Sequence, residues 1–464
     1  MVHAVRKQSD AAAALNKYCD LIDALLGGTD AMRAAGKKYL PQWPGEDDKA
    51  HATRLAVATL FPAYQRTIEV LGAKPFSKPV TFGKDVPAKI QALCDDVDRQ
   101  GRNLHAFLSE VGQEALGYGF SGILVDYPAT KDKDGRALYV TKADEDSAGV
   151  RPYFVQIHPR SILGWLSDKG GLTQLRLLES VEVPDGEFDI KYIEQVRVLR
   201  RGAWETWRKI EGKTDDDWAP HESGVTTLKG IPFVPVYGNR LGFMMARPAL
   251  LELAHANVEH WQSKSDQQNI LHVARVPILF ARMLGPETAI TVGAGAAVKA
   301  EHPDADLKFV EHTGAAIEAG RLSILDLEDR MRQAGAELLV IKPGNVTESQ
   351  TLADNEQGAC ALQKVAENIE DAADQALQLM GEWVGEQQGG HISIYKDFGA
   401  ATLAETSAEL LLKFSQSGGL SKESLFGEYQ RRGIIRPDTT WEDEMGRLEG
   451  EGPALGTMPD PAQP

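Results

Sequence analysis

Two long helical stretches flanking a small β-rich insert constrain this chain more than any other feature. Pro248 suits a first helical position, and the run to about Arg275 predicts a helix of some 28 residues, roughly 40 Å at 1.5 Å per residue. Val276-Pro277 ends it, because a residue before proline is pushed out of the helical region. Strand-like PILFARM, a Gly/Ala loop at VGAGAAVKA and strand-like LKFVEH come next. Gly314 then precedes a second long helix, with Ile317, Leu322, Leu325, Leu327, Met331, Leu338 and Leu339 as its apolar residues. Lys342-Pro343-Gly344-Asn345 breaks it, since proline removes a donor and glycine frees the backbone. Thr347 and Gln350 have capping-box spacing, so a third helix is expected from there to Gly385, with Gly358 and Gly381 as weak points. Its residues Leu362, Ala366, Ile369, Ala373, Ala376, Met380 and Trp383 alternate steps of four and three. That is a narrow, alanine-rich heptad seam that lets neighbouring helices approach closely. Helices this long either pack on each other in a monomer or stand side by side in a ring, with the break projecting as a loop.

The rest of the chain reads as α+β, mainly helical. The first hundred residues are helical with breaks. Asp47–Leu60 and VPAKIQALCDDVD show amphipathic spacing, while Pro62, Gly72, Pro75 and Pro79 interrupt. Asn103 is a good N-cap. Leu104, Phe107, Leu108, Val111, Ala115 and Leu116 then make one apolar face, up to Gly117-Tyr118-Gly119. Gly122–Tyr127 reads as a buried strand, with Arg136–Thr141 as its hairpin return. Residues 150–240 carry strand-like runs at antiparallel spacing: RPYFVQIHP, LTQLRLLESVEV, KYIEQVRVLRRGAWETWRKI and IPFVPVYGNR. Thr214–Asp217 is a solvated turn, which places Trp218 at an exposed position. After HISIYKDF, a short strand, come two small helices over Thr402–Ser415 and Lys422–Arg432. A Gly/Pro-rich tail begins at Glu449. No internal repeat is visible.

Over 464 residues the formal net charge is −17, with 42% hydrophobic and 25% charged residues. Such a chain folds, and its length calls for more than one packing unit. The acidic balance argues against wrapping nucleic acid with a basic surface. It is compatible with letting nucleic acid slide past without sticking. Three cysteines, Cys19, Cys94 and Cys360, exclude a disulfide framework and lie too far apart for a zinc module. No signal peptide and no membrane-spanning run is expected.

The candidate chemical motifs fail on spacing. Gly119-Phe120-Ser121-Gly122 is one residue short of a nucleophile elbow and precedes its strand, so it reads as a tight turn. Gly293-Ala294-Gly295 lacks the third glycine and the acidic residue of a dinucleotide fingerprint. Asp132-Lys133-Asp134-Gly135 imitates a calcium loop, but the register puts Thr130 first and Thr141 where a bidentate Glu is needed. His255 and His260 share a helix about 140° apart around its axis, so they cannot clamp one metal and read as a solvated or interfacial polar face. Asp95, Asp96 and Asp98 read as a solvated helix surface. There is no Walker lysine motif. No catalytic residue, metal or cofactor is expected.

In order, the segments GYGFSGILVDYP, PYFVQIHPRSILGW, IPFVPVYGNR and PALLELAHANVEHWQSKSDQQNILHVARVP carry a family resemblance. So do FVEHTGAAIEAGRLSILDLEDRMRQAGAELL, KDFGAATL and GGLSKESLFGEYQRRGII. From about residue 35 to 450 the chain resembles the portal proteins of tailed bacteriophages, the head-to-tail connectors. Their order is more specific than any one motif. The resemblance implies a portal-like architecture: an α/β wing over 1–246, stem helices over 247–275 and 315–341, and a small β-rich clip over 276–314. A tunnel loop would occupy 342–350, a long wing/crown helix 351–388, a helical crown 389–448, and a flexible tail 449–464.

The same resemblance implies a ring, typically of twelve copies, at the unique capsid vertex of a virion assembled in the host cytoplasm. It would perform no chemistry. It would pass double-stranded DNA during packaging and ejection. Its partners would be the large terminase subunit, head-tail adaptor proteins, and the major capsid and scaffold proteins, with no membrane. Lys342, Asn345, Thr347 and Ser349 are the candidate DNA-channel residues, and Leu362, Ala366, Ile369, Ala373, Ala376, Met380 and Trp383 the candidate oligomer or packing seam. Two other classes compete: a cytosolic enzyme with a helical substrate domain, and a non-viral helical scaffold protein. The enzyme would need a cleft with convergent polar groups.

Overall fold

In the computed structural model the described residues are 4–130, 136–169, 171–210, 217–274, 278–283, 304, 306–310, 314–336, 360–396, 398, 405–431, 434–435 and 439–450. They form an α+β fold in which helix outweighs strand. Residues 1–342 and 360–395 group as one compact unit, and the rest as a second.

The N-terminal helices are α1 (Asp10–Leu15), α2 (Cys19–Leu26), α3 (Gly28–Ala35), α4 (Asp48–Val57), α5 (Ala63–Ala73), α6 (Ala88–Leu93) and α7 (Leu104–Tyr118). Side chains at the N-caps fix three of these starts: Ser9, Asp47 and Asn103 accept from the amides of Ala12, Ala50 and Ala106. Gly119 closes α7 with φ +83°, a left-handed conformation that turns the chain straight into a strand. A Cβ there would lie 2.1 Å from the Arg247 carbonyl carbon, so the position tolerates no side chain. The supposed elbow is therefore the tight turn that its spacing indicated.

Strand β1 (Thr81–Phe82) is short and precedes α6. β2 (Phe120–Asp126) is buried along almost its whole length. It lies between β3 (Tyr153–Ile157) and β9 (Phe233–Tyr237), antiparallel to both. With both edges of β2 taken, the expected hairpin return over Arg136–Thr141 does not form. That segment leads instead into a short helix, α8 (Lys142–Ser147). The second sheet is an antiparallel meander of β4 (Ile162–Asp168), β5 (Gly171–Asp185), β6 (Asp189–Arg200), β7 (Ala203–Lys209) and β8 (Trp218–Val225).

Strand alternation decides how these layers meet. Phe120 and Leu124 of β2, Ile157 of β3, and Phe233 and Tyr237 of β9 share one core with Leu175, Leu177 and Leu199 of the larger sheet. The opposite face of β2 turns towards α7, where the Ser121 hydroxyl donates to Glu114 over 2.8 Å. The far face of the larger sheet has its own cluster: Leu163, Val196, Val198 and Trp218. Trp218 is thus buried, contrary to its expected exposure. It begins β8 and closes this second core, whatever the polarity of the residues before it.

Further along the chain, β10 (Arg240–Gly242) and β11 (Met245–Ala246) make a small ribbon before helix α9 (Leu251–Ala274). Strands β12 (Ile278–Arg282) and β13 (Asp306–Val310) pair antiparallel in one ladder from Ile278↔Val310 to Arg282↔Asp306. Helix α10 (Ala315–Ala336) is next, then α11 (Ala361–Val384). The described part of the third long helix thus starts at Ala361, where the Cys360 thiol serves as N-cap, and runs through Gly381 to a left-handed Gly385. Its expected start at Thr347–Gln350 lies outside the described residues. Strand β14 (Ile392–Ser393) pairs with β1.

The second unit contains α12 (Glu405–Gln416), α13 (Lys422–Arg431) and α14 (Trp441–Gly450), with Phe426 and Trp441 meeting edge-on. The first two answer the sequence expectation. The third is an addition to it, and it extends past the expected start of the tail at Glu449.

A helix–hairpin–helix module as candidate functional site

The module is α9, the β12–β13 hairpin and α10. Helices α9 and α10 pack on each other, and α9 also meets α2, α4 and α5. Its contacts are unusually polar. Asn257 is fully buried: its Oδ1 accepts from the Tyr64 amide at 3.0 Å and its Nδ2 donates to the Phe61 carbonyl at 2.8 Å. The Gln262 amide group donates to the Tyr39 carbonyl, and that of Gln267 donates across to the Ile317 carbonyl of α10.

His260, read from sequence as a polar face, is completely buried beside Phe61, with Nε2 3.2 Å from Glu328 Oε1 of α10. Burial lowers its pKa, and the Glu328 carboxylate opposes that shift. His255 is exposed on the same helix and meets the Tyr18 ring edge-on, so the two histidines do diverge. His255 takes the solvated form of the expected polar face and His260 the interfacial form. Periodicity cannot mark His260 as buried, because the surrounding helices that enclose it are far away in sequence.

Among the described residues, several buried polar atoms of α9 lack a hydrogen-bond partner: His260 Nδ1, Trp261 Nε1, Ser265 Oγ, Asp266 Oδ1 and Gln268 Oε1. Ser265 and Gln268 line a cleft of about 830 Å³ against α4, which also contains Arg54. Arg54 is nearly inaccessible, forks onto both Glu46 oxygens at 2.8 Å and lies over the Trp43 ring. Its guanidinium holds the Glu46 carboxyl down at about 2.

Helix α10 buries a single row, Leu327, Met331 and Gly335, one turn apart. Leu322 and Leu325, expected in its apolar set, are 48% and 41% exposed. On the hairpin, Phe280 is also exposed, with the Lys308 ammonium 5.6 Å from its ring centroid.

The candidate channel residues Lys342, Asn345, Thr347 and Ser349 lie outside the described residues. The seam residues Leu362, Ala366, Ile369, Ala373, Ala376 and Met380 are all buried within this chain, where α11 packs on α7, β2 and β9. Trp383 is half-buried. It stacks on Tyr127 with centroids 4.8 Å apart, and its indole donates to the Val125 carbonyl at 3.3 Å. The seam is therefore the covering of the β2 sheet.

Of the aspartates expected to be solvated, Asp95 is exposed, and the other two behave differently. Asp98 is buried and accepts from the amides of Gln100 and Arg102 and from Arg102 Nε. Asp96 accepts from Arg151. Together they cap the turn after α6. All three cysteines are free and buried. Among the described residues no group of three His, Cys, Asp or Glu is placed to hold a metal, and no helix is long and apolar enough to cross a membrane.

A family described as a domain of unknown function (DUF4055) matches residues 249–384, the stretch from α9 to α11. No curated protein matches the chain. Among solved structures the chain is similar to one in the neck of an empty gene transfer agent (GTA) particle computed with C6 symmetry. The TM-score is 0.44 at 10% identity, covering 80% of this chain and 90% of that one. A chain of the virion of a native GTA particle matches at TM-score 0.42 and 10% identity, over 79% and 88%. A chain of the neck of a native GTA particle computed with C12 symmetry matches at 0.42 and 11%, over 80% and 89%.

Proposed function

We propose that this chain is a subunit of a phage-type portal, a closed ring at one capsid vertex through which double-stranded DNA passes. The ordered sequence segments that resemble portal proteins support the reading. So does the succession of long helix, antiparallel hairpin and long helix, which matches a stem–clip–stem arrangement. The single observation that carries the ring is the apolar pair on α10, Leu322 and Leu325, which stay 48% and 41% exposed among the described residues. Large side chains left exposed on a long helix are what a neighbouring copy would bury.

In this reading residues 1–246 form the wing, α9 and α10 the stem, the β12–β13 hairpin the clip, and 342–350 a loop facing the DNA. Helix α11 packs with the wing, and residues 389–448 form the crown. The subunit does no chemistry. It seats a terminase, then head-tail adaptor proteins, within a capsid built with scaffold and major capsid proteins. Lys342 offers weak, sequence-independent phosphate contact, which suits a strand that must keep moving.

Co-expression with the capsid and scaffold proteins of its phage, with native mass measurement and end-on particle images, tests the ring. A closed ring is expected, and persistent monomers would overturn the proposal. Lys342→Ala is expected to leave rings intact and change the length of encapsidated DNA. Loss of rings in that variant would make the segment a structural joint.

A further inference from the structure

The larger sheet carries an arm. Strands β5 and β6 pair continuously out to Asp185↔Asp189, but β4 leaves β5 at Leu177 and β7 leaves β6 at Gln195. Residues 179–194 therefore run on as a two-stranded ribbon with no strand on either edge. Such a ribbon is marginal in water by itself. Its tip nevertheless exposes Phe188 at 89%, with Ile190 and Tyr192 also exposed. The ribbon holds six acidic residues and one basic, Lys191. Near the base, Glu194 meets Arg6 and Glu179 meets Arg197. At the tip, Asp185, Glu187 and Asp189 have no basic partner among the described residues. Asp185 and Asp189 also sit directly opposite each other, a like-charge pairing that destabilises a ribbon unless a cation comes from elsewhere.

Complementary chemistry lies at the other end of the same hairpin. A cleft of about 650 Å³ opens beside Gly171, where β5 begins. Lys229 and Arg240 line it, neither with an acidic partner among the described residues, and Arg240 lies over the Tyr237 ring. Arg201 contributes a third cation, held by Asp168 at 2.7 Å. Phe243 lies half-open at the cleft, and Asp371 is its one acidic lining residue. From Gly171 to Asp185 the strand advances roughly 45 Å at about 3.3 Å per residue. The tip thus cannot reach the cleft of its own chain.

We propose that the arm tip Asp185–Asp189 of one copy seats in the Lys229–Arg240 cleft of the next copy, with Phe188 against Phe243. Because the two halves are different surfaces, the contact is heterologous and propagates head to tail. Closure into a ring rests on the portal reading, whereas the pairing of arm and cleft does not. The arm is the acidic half and the cleft the basic half, so the contact weakens with salt.

Two variants of the full chain test this: Glu187→Lys with Phe188→Ser in the arm, and Lys229→Ala with Arg240→Ala in the cleft. All four side chains lie at the surface or line the cleft, and wild-type melting temperatures serve as the folding control. Each variant, co-expressed alone with capsid and scaffold proteins, is expected to lose ring-sized species at least tenfold. Mixed together, the two are expected to give one-to-one heterodimers and nothing larger, since each retains one working half. A photo-reactive benzoyl-phenylalanine at 188 is expected to crosslink to the 229–243 segment of another copy. Full rings from both variants, or crosslinks that map elsewhere, would overturn the arm–cleft contact and leave the ring standing. Absence of any wild-type assembly and of any intermolecular crosslink would overturn both.

Discussion

Glu114→Gln should make the protein more stable in alkaline solution than in acid, relative to the parent chain. Glu114 lies on α7 with its carboxylate turned to β2 and β3, accepting from the Ser121 hydroxyl at 2.8 Å and the Gln156 amide at 3.0 Å. Burial pushes its pKa from 4.5 up to about 7, and the two hydrogen bonds only partly offset this. Below about 4.5 both folded and unfolded chains hold the proton, and nothing is lost. Between there and about 7 only the folded chain holds it, so stability falls as pH rises. Above that window the loss is complete. At 1.36 kcal/mol per pKa unit, the penalty is about 3 kcal/mol.

Glutamine never carries that charge, but it presents an NH2 group where Gln156 also donates. One mispaired contact costs about 1 kcal/mol. The parent has already lost about 0.8 kcal/mol at pH 5, so the variant should be nearly equal to it there and about 2 kcal/mol more stable at pH 8.5. Urea unfolding at both pH values, monitored by tryptophan fluorescence, measures the difference. Other titrating groups are common to both chains and cancel. A gap that is the same at pH 5 and pH 8.5 would show that Glu114 is not held neutral by burial, and the reasoning would fail.

Trp218→Ala should destabilise by about 3–5 kcal/mol, because it empties the second core of the larger sheet. Trp383→Ala should cost less, about 1–2 kcal/mol for the Tyr127 stack and a half-buried ring. Urea midpoints in the reverse order would refute this placement of the two tryptophans. Gly119→Ala should cost at least about 2 kcal/mol, from the left-handed backbone and the clash with Arg247. A thermal midpoint unchanged from the parent would contradict it. Joint substitution of Leu322→Asp and Leu325→Asp should cost the monomer about 2 kcal/mol, because each side chain is half-covered, and should abolish rings. Rings that survive it would show that this face of α10 is not a contact.

The parts of the fold legible in the sequence are those whose cause is local. Asn103 and Asp47 cap because a short oxygen side chain meets the helix start, and β2 is apolar on both faces because it is central. The β12–β13 hairpin lies between two long helices, each with an obvious end. The hidden parts depend on distant neighbours. Trp218 comes after polar residues and still fills a core made by Leu163, Val196 and Val198. His260 and Asn257 are polar residues of a long helix, and only α5 and α10 folding over them reveals their burial. The heptad seam of α11 is visible as a pattern, but a pattern names a buried face without naming its partner. That partner is the β2 sheet of the same chain.

Five of the exposed large apolar groups of the first unit gather in two places, the β5–β6 ribbon and helix α10. Those of the ribbon lie where a long element outruns the neighbours that cover it. Strand β5 has 15 residues while β4 has 7, so the ribbon passes beyond its sheet and exposes Phe188, Ile190 and Tyr192. Helix α10 runs beside α9 from as early as Ile317, its described buried residues are Leu327, Met331 and Gly335, and Leu322 and Leu325 stay partly exposed before them. Elements sized to a single core would stop where their cover stops, since uncovered apolar length adds entropy loss without compensating burial. Length beyond the cover is useful only if another chain supplies the cover. The two exposed sets differ in chemistry, one acidic with an aromatic tip and one a leucine pair between charged residues. Each therefore makes a separate demand on the surface that covers it.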